Sequence, residues 1–210
     1  MKEHEDHNIR SPACFTETPL WVLSRPREDG LLDIAASLTE GGRAVACYLS
    51  FVHALIDVAY RSSRGAHYSV REACTVDPAV FANAQEPGLI AQLRLAWPSK
   101  NRRVVLEQDG NSATCARLLF QGRIAGSPWR FEVDDGSMGY IERLYERPGL
   151  FAWRETCGEV SRWNLARQKR MLERALVSMD VTQARLEDCR EVALFDPEFG
   201  QWHFVPYAGL

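Results

Sequence analysis

From Trp129 to Asp134 large apolar and charged side chains alternate without a break: Trp129, Phe131 and Val133 against Arg130, Glu132 and Asp134. A period of two sends successive side chains to opposite faces of an extended chain, so this segment buries one face and leaves the other wet. Such a strand needs a sheet with a covered side, which rules out an all-helical chain. Ala116, Leu118 and Phe120 alternate likewise, and Gly126-Ser127 between the two runs suits a two-residue hairpin turn. The two runs are expected to pair.

Further strands are expected at residues 20–23, 43–51, 67–76, 89–97 and 103–107, the last two flanking a loop at 98–102. Val192 and Leu194 are expected to face the same way as Trp202 and Phe204, across a turn at residues 196–200. Helical spacing appears at Leu31, Ile34, Ala35 and Leu38 before Gly41-Gly42, and again at Val52, Leu55, Ile56 and Ala59. Asp77-Pro78 opens a short capped helix, and Ile141, Leu144 and Tyr145 mark another that Pro148-Gly149 stops. The longest helix is predicted over residues 160–179, with the stripe Leu165, Leu172, Leu176 and Met179 widened by Met171 and Ala175.

Hairpins in the middle with helices on either side predict an α+β fold, its mainly antiparallel or mixed central sheet covered by helices on one face. The opening order of strand and helix leaves a parallel arrangement open there. Residues 13–210 are expected to form a single domain behind a polar tail at residues 1–12.

With 46% hydrophobic and 25% charged residues, the 210-residue chain can build an ordinary core. Its net charge of -3 supplies no overall positive field, so nucleic-acid binding would have to be local and is not the expectation. The longest apolar run, residues 44–60, is interrupted by Ser50, His53 and Asp57 and falls short of the roughly 20 residues a membrane span needs. The acidic start, Glu3, Glu5 and Asp6, does not read as a secretory signal. Six dispersed cysteines without a C-x-x-C spacing suit reduced thiols, and a cytoplasmic protein is expected.

No phosphate loop, dinucleotide fingerprint, zinc-protease helix or nucleophile elbow occurs, so no cofactor and no metal is expected. His53 and Asp57, four residues apart on a helix, share a face as an acid–base pair or two metal ligands would. A local hydrogen-bonded pair at the polar edge of that helix is the ordinary reading, and no spacing predicts a third ligand. His67 lies nearby in sequence, and His203 follows Asp196 and Glu198 on the closing strand. A small hydrolase or transferase would have to assemble its acid–base residues from His53, Asp57, His67 and His203.

Arg167, Arg170 and Arg174 share a helix face that an acidic partner or a nucleic acid could use, though a solvated face is the ordinary meaning of such a run. Trp153 and Trp163 bracket a charged segment suited to an interface with a polar rim. Asp188, Glu191, Asp196 and Glu198 would steer a basic partner. The preferred expectation is a non-catalytic protein-binding protein, such as a regulator, adaptor or toxin-neutralising immunity protein. Its partner would be another protein, a basic one at the acidic residues.

Overall fold

The computed structural model describes residues 19–40, 42–82, 88–122, 133 and 135–207. Strand β1 (Trp21–Pro26) turns at Gly30, whose φ of +79° suits glycine, and returns as β2 (Leu32–Ile34) with Ser24 opposite Ile34. β3 (Ala36–Thr39) and β4 (Gly42–Tyr48) form the next antiparallel pair. The helix expected from Leu31 to Leu38 is therefore absent. Of its four proposed inward residues only Ile34 and Ala35 are buried, while Leu31 and Leu38 are 63% and 90% exposed. A hairpin satisfies the backbone of this stretch by pairing with β1 and β4, and Ala35 bonds both Leu23 and Ala46.

β4 is buried along most of its length and leads into α1 (Phe51–Ser62), which Ser50 caps by accepting the His53 N–H. β5 (Ser69–Glu72) pairs with β1, and Asp77 caps a 3₁₀ turn over Pro78–Phe81 as the sequence implied. β6 (Gly88–Lys100) is the spine of the sheet. Its register shifts between Arg94 and Ala96, the mark of a bulge that bends a strand. Before the bulge it runs parallel to β4 and antiparallel to β8 (Cys115–Gly122); beyond it, it pairs with β7 (Arg103–Leu106) through a tight turn. In that turn Asn101 and Arg102 both have positive φ, 53° and 58°, the geometry of a two-residue hairpin. On β8 Leu118 is exposed, against expectation. The alternating segment at 129–134, except Val133, and the turn at Gly126-Ser127 lie outside the described residues.

α2 (Asp135–Glu146) ends before Pro148-Gly149, with Ile141, Leu144 and Tyr145 buried as their spacing predicts. The helix expected over residues 160–179 is two helices, α3 (Trp153–Arg162) and α4 (Leu165–Val177). Trp163 is extended (φ −62°, ψ 147°), and the Asn164 side chain accepts the Arg167 N–H at 2.9 Å, so a new helix starts at an N-cap that the apolar stripe concealed. The buried positions of α4 are Met171 and Ala175, whereas Leu165 is 83% exposed.

β9 (Val181–Gln183) runs parallel to β7, and the chain closes on β10 (Glu191–Asp196) and β11 (Gln201–Pro206). The hairpin exists, but its register is one residue from the expected one. Val192 lies opposite Val205, and Leu194 opposite His203, so Trp202 and Phe204 face the same way as Phe195 and Ala193. The four-residue turn from Pro197 to Gly200 sets this by placing Asp196 opposite Gln201.

The result is an α+β fold on a mixed sheet ordered β11-β10-β6-β4-β1-β2, with the other strands branching from that path. Helices cover both of its faces, not one. Ile141, Leu144 and Tyr145 of α2 pack with Val45, Cys47 and Val192, whereas Val52 and Ile56 of α1 and Met171 of α4 pack with Trp97 and Ala193. Val192 and Ala193 are consecutive in β10 and so point to opposite faces. Among the described residues no helix is long and apolar enough to cross a membrane.

Candidate functional site

The inner face of α1 holds two of the polar residues singled out by sequence, and both are more deeply placed than an edge pair would be: His53 is 3% exposed and Asp57 1%. They do not bond to each other. Asp57 accepts from the Tyr48 hydroxyl, from Arg61 Nε at 3.0 Å and Arg94 Nη1 at 3.4 Å on one oxygen, and from Ser112 Oγ at 3.0 Å on the other. Arg94 also donates to Tyr48 Oη at 3.1 Å and to Ser37 Oγ at 3.3 Å. Burial alone would raise the Asp57 carboxyl, but Arg61, Arg94 and the Tyr48 hydroxyl outweigh it and hold the group below its ordinary value.

His53 stacks on Trp97, ring centroids 3.6 Å apart, and its Nε2 has no hydrogen-bond partner among the described residues. Burial pulls it down to about 3, so it is neutral near pH 7. Its ring is held by packing, against Trp97 and edge-on to Tyr48. The Asp57 cluster ties α1 to β3, β4, β6 and the Ser112 segment, and none of its members lines the clefts described below.

The structure does not bring the histidines together. His67 is exposed in the segment after α1. His203 follows Trp202, which contacts the Trp97 ring that His53 covers, so the two histidines lie toward opposite faces of the sheet. His203 Nε2 lies 3.7 Å from Asp196 Oδ2 and 3.3 Å from Gln201 Nε2. Among the described residues no three of His, Cys, Asp and Glu are grouped to hold a metal ion.

A different arrangement lies where the α2–α3 connection faces the β10–β11 turn. Gly149, with φ +88°, turns the chain out of α2, and the segment through Leu150, Phe151 and Ala152 leads into Trp153 at the start of α3. Opposite it, Asp196 Oδ1 accepts the N–H groups of Glu198 and Phe199 at 2.9 and 3.2 Å and so fixes the hairpin turn. Between them is a cleft of about 120 Å³. Its inner wall is apolar, with Val52, Leu150, Phe195 and Trp153, the last stacked on Tyr145 at 4.5 Å. Ser50 Oγ and Cys157 Sγ, 3.1 Å apart, also line it, and burial pushes the Cys157 thiol up, away from the thiolate a nucleophile requires.

Two phenylalanines line the same cleft while remaining largely in water: Phe151 is 74% exposed and Phe199 75%. The charged residues of the lining are Asp196 and Glu198, both acidic. Glu198 is exposed and meets no cation among the described residues.

Three of the six partner-binding candidates, Trp153, Asp196 and Glu198, thus meet at one place. The others do not. Trp163 sits at the α3–α4 junction beneath the Arg167 guanidinium, 3.6 Å from the ring centroid. Asp188 pairs with Lys100 at 3.2 Å, and Glu191 accepts the Arg102 N–H at 3.1 Å, at the far end of β10, about 17 Å from Asp196 at a strand's usual rise. The acidic stretch is therefore no single face. The row Arg167, Arg170 and Arg174 is broken as well, because Arg167 is laid on Trp163 and Arg174 lies against the Gly200 turn, its Cδ 3.0 Å from where a Cβ at Gly200 would be.

Sequence reasoning passed over Phe151 and Phe199. The signal was present: each is a large aromatic beside turn residues, one after Pro148-Gly149 and one before Gly200, where polar side chains are the rule. No family model, curated protein or solved structure matches this chain.

Proposed function

We propose that the chain is a non-catalytic protein-binding protein, a regulator or adaptor, and that it docks its partner at the cleft between Phe151 and Phe199. The observation behind this is two three-quarters-exposed phenylalanines flanking a preformed apolar cleft. Exposed aromatic area costs solvation free energy in the lone chain, and burying it against a partner recovers about 25 cal/mol per Å². The cleft is slightly smaller than a cavity of about 150 Å³ that takes one benzene ring, so it suits one side chain.

Apolar walls with carboxylates and no cation in the lining suit a side chain with an aliphatic stem and a positive end, lysine or arginine. A basic partner, such as a nucleic-acid-cleaving toxin that the chain would neutralise, fits this chemistry. A cytoplasmic setting agrees with Cys47, Cys115, Cys157 and Cys189, none of which is in a disulfide.

Affinity capture from the source cell tests the reading. The native chain should retain one stoichiometric protein that the Phe151→Ala/Phe199→Ala variant loses while unfolding at the same temperature. Recovery of no stoichiometric partner, or equal recovery by both chains, would overturn it.

A further inference from the structure

Among the described residues the sheet ends at β11, which pairs with β10 alone. One bond fixes which of its backbone groups are used. The Tyr207 N–H donates to the Arg190 carbonyl at 2.8 Å, so residues 190 and 207 are a hydrogen-bonded pair, and such pairs recur at every second position of an antiparallel ladder. Gln201, His203 and Val205 therefore turn their N–H and C=O groups toward β10, while Trp202, Phe204 and Pro206 turn theirs outward. Pro206 bears out this parity: it has no N–H to give, and its carbonyl accepts Arg147 Nη1 at 2.6 Å from outside the hairpin. The outward N–H and C=O groups of Trp202 and Phe204 meet no partner among the described residues.

A groove with about 430 Å³ of open volume runs beside this edge, lined by Arg102, Arg147, Glu191 and His203 along with β11 itself. The Arg102 guanidinium lies over the Phe204 ring, 5.6 Å from its centroid. Neither Arg102 nor Arg147 has a carboxylate partner among the described residues, and Glu191 is occupied by the Arg102 backbone. Two guanidinium groups against one carboxylate make the groove cationic. An edge strand is a template for another strand, and proteins blunt such edges with proline or charge. Among the described residues the backbone of this edge is blunted at one end, by Pro206 and by Arg147 on its carbonyl.

We infer that the outer edge of β11 receives an extended acidic segment of a partner protein as an added strand. The segment pairs its backbone with Trp202 and Phe204, stops at Pro206, and sets carboxylates against Arg102 and Arg147. This surface is separate from the phenylalanine cleft and does not depend on it. The main-chain bonds supply strand pairing, and the two arginines select the sign of the segment.

The full chain, labelled with ¹⁵N, is titrated with acetyl-Glu-Val-Glu-Val-Glu-amide, with its lysine counterpart, and with the glutamate peptide N-methylated throughout. The glutamate peptide should shift the Trp202 and Phe204 amide resonances and slow their hydrogen exchange. Both control peptides should bind about tenfold more weakly, as should the glutamate peptide to the Arg102→Glu variant, a change at an exposed position that should leave the unfolding temperature within a few degrees of the native chain's. Equal binding of either control peptide, shifts elsewhere only, or no shift at about 1 mM peptide would overturn the inference.

Discussion

Replacing Asp57 by asparagine removes the carboxylate that Arg61 and Arg94 share while keeping the shape of the side chain. Arg94 suffers most. Its side chain is 9% exposed, so water cannot take the carboxylate's place, and its Nε already lacks a partner among the described residues. Removing one member of a buried ion pair costs about 3–5 kcal/mol. The asparagine carbonyl still accepts from Ser112 or Tyr48, which returns about 1 kcal/mol, and Arg61, partly in contact with water, loses less. A net loss of about 2–4 kcal/mol follows, a large share of the roughly 5–15 kcal/mol that holds a domain folded. Equilibrium unfolding in urea measures it, provided the slope is unchanged. The double variant Asp57→Leu/Arg94→Met should lose less than the sum of the two single changes, because no charge is then stranded. A stability within about 0.5 kcal/mol of the native chain for Asp57→Asn would refute the view that this cluster braces α1 against the sheet.

The buried imidazole gives a separate signature in acid. Burial lowers His53 to about 3 in the folded chain from an ordinary 6.5, so the unfolded chain takes the proton first and stability is lost as pH is lowered between those values. The slope approaches about 1.4 kcal/mol per pH unit in mid-range, and His53→Phe, which keeps an aromatic ring against Trp97, should flatten it in urea melts at pH 4 to 7. Asp57 acts lower: its contribution is present above about 3.9 and is lost only as pH falls through its depressed folded value. Asn164→Ala removes the cap of α4 and should cost about 1 kcal/mol by the same assay, whereas an uninterrupted helix would gain from alanine there. Residue-resolved alkylation of the native protein should label Cys47, Cys115 and Cys157 slowly near pH 7 and faster once the chain is unfolded, because burial pushes their thiols up. Labelling of Cys157 in the folded chain as fast as in the unfolded one would contradict the raised thiol beside Ser50.

The fold was legible where local chemistry and burial agree. α1, α2, β4, β6 and the β10–β11 hairpin each combine an apolar pattern with a cap or turn residue that marks the boundary. It was illegible where pattern and burial part company. Leu31 and Leu38 imitate a helix face but lie in water, and Leu165 imitates the stripe of α4 while Met171 and Ala175 carry the contact. The register of the last hairpin depended on the length of its turn, and one residue reversed every assignment on β11. His53 and Asp57 were correctly placed on one helix face, yet the partners of Asp57, namely Tyr48, Arg94 and Ser112, come from other strands and turns, which spacing along the chain cannot reveal. Trp153, Asp196 and Glu198 were singled out in the sequence for their chemistry. That they line one cleft depends on two turns meeting in space.

Site-specific photo-crosslinking at position 199 puts the proposed docking at the cleft to the most direct test. With Phe199→p-benzoylphenylalanine the aromatic ring stays in place and reports on whatever lies against it in the source cell. Irradiation should join the chain to one protein, through a peptide of that protein containing lysine or arginine. The same photo-residue at the exposed Leu38, on the β3–β4 side of the sheet, should yield no such adduct. No adduct at position 199, or the same set of adducts from both positions, would contradict a partner seated between Phe151 and Phe199.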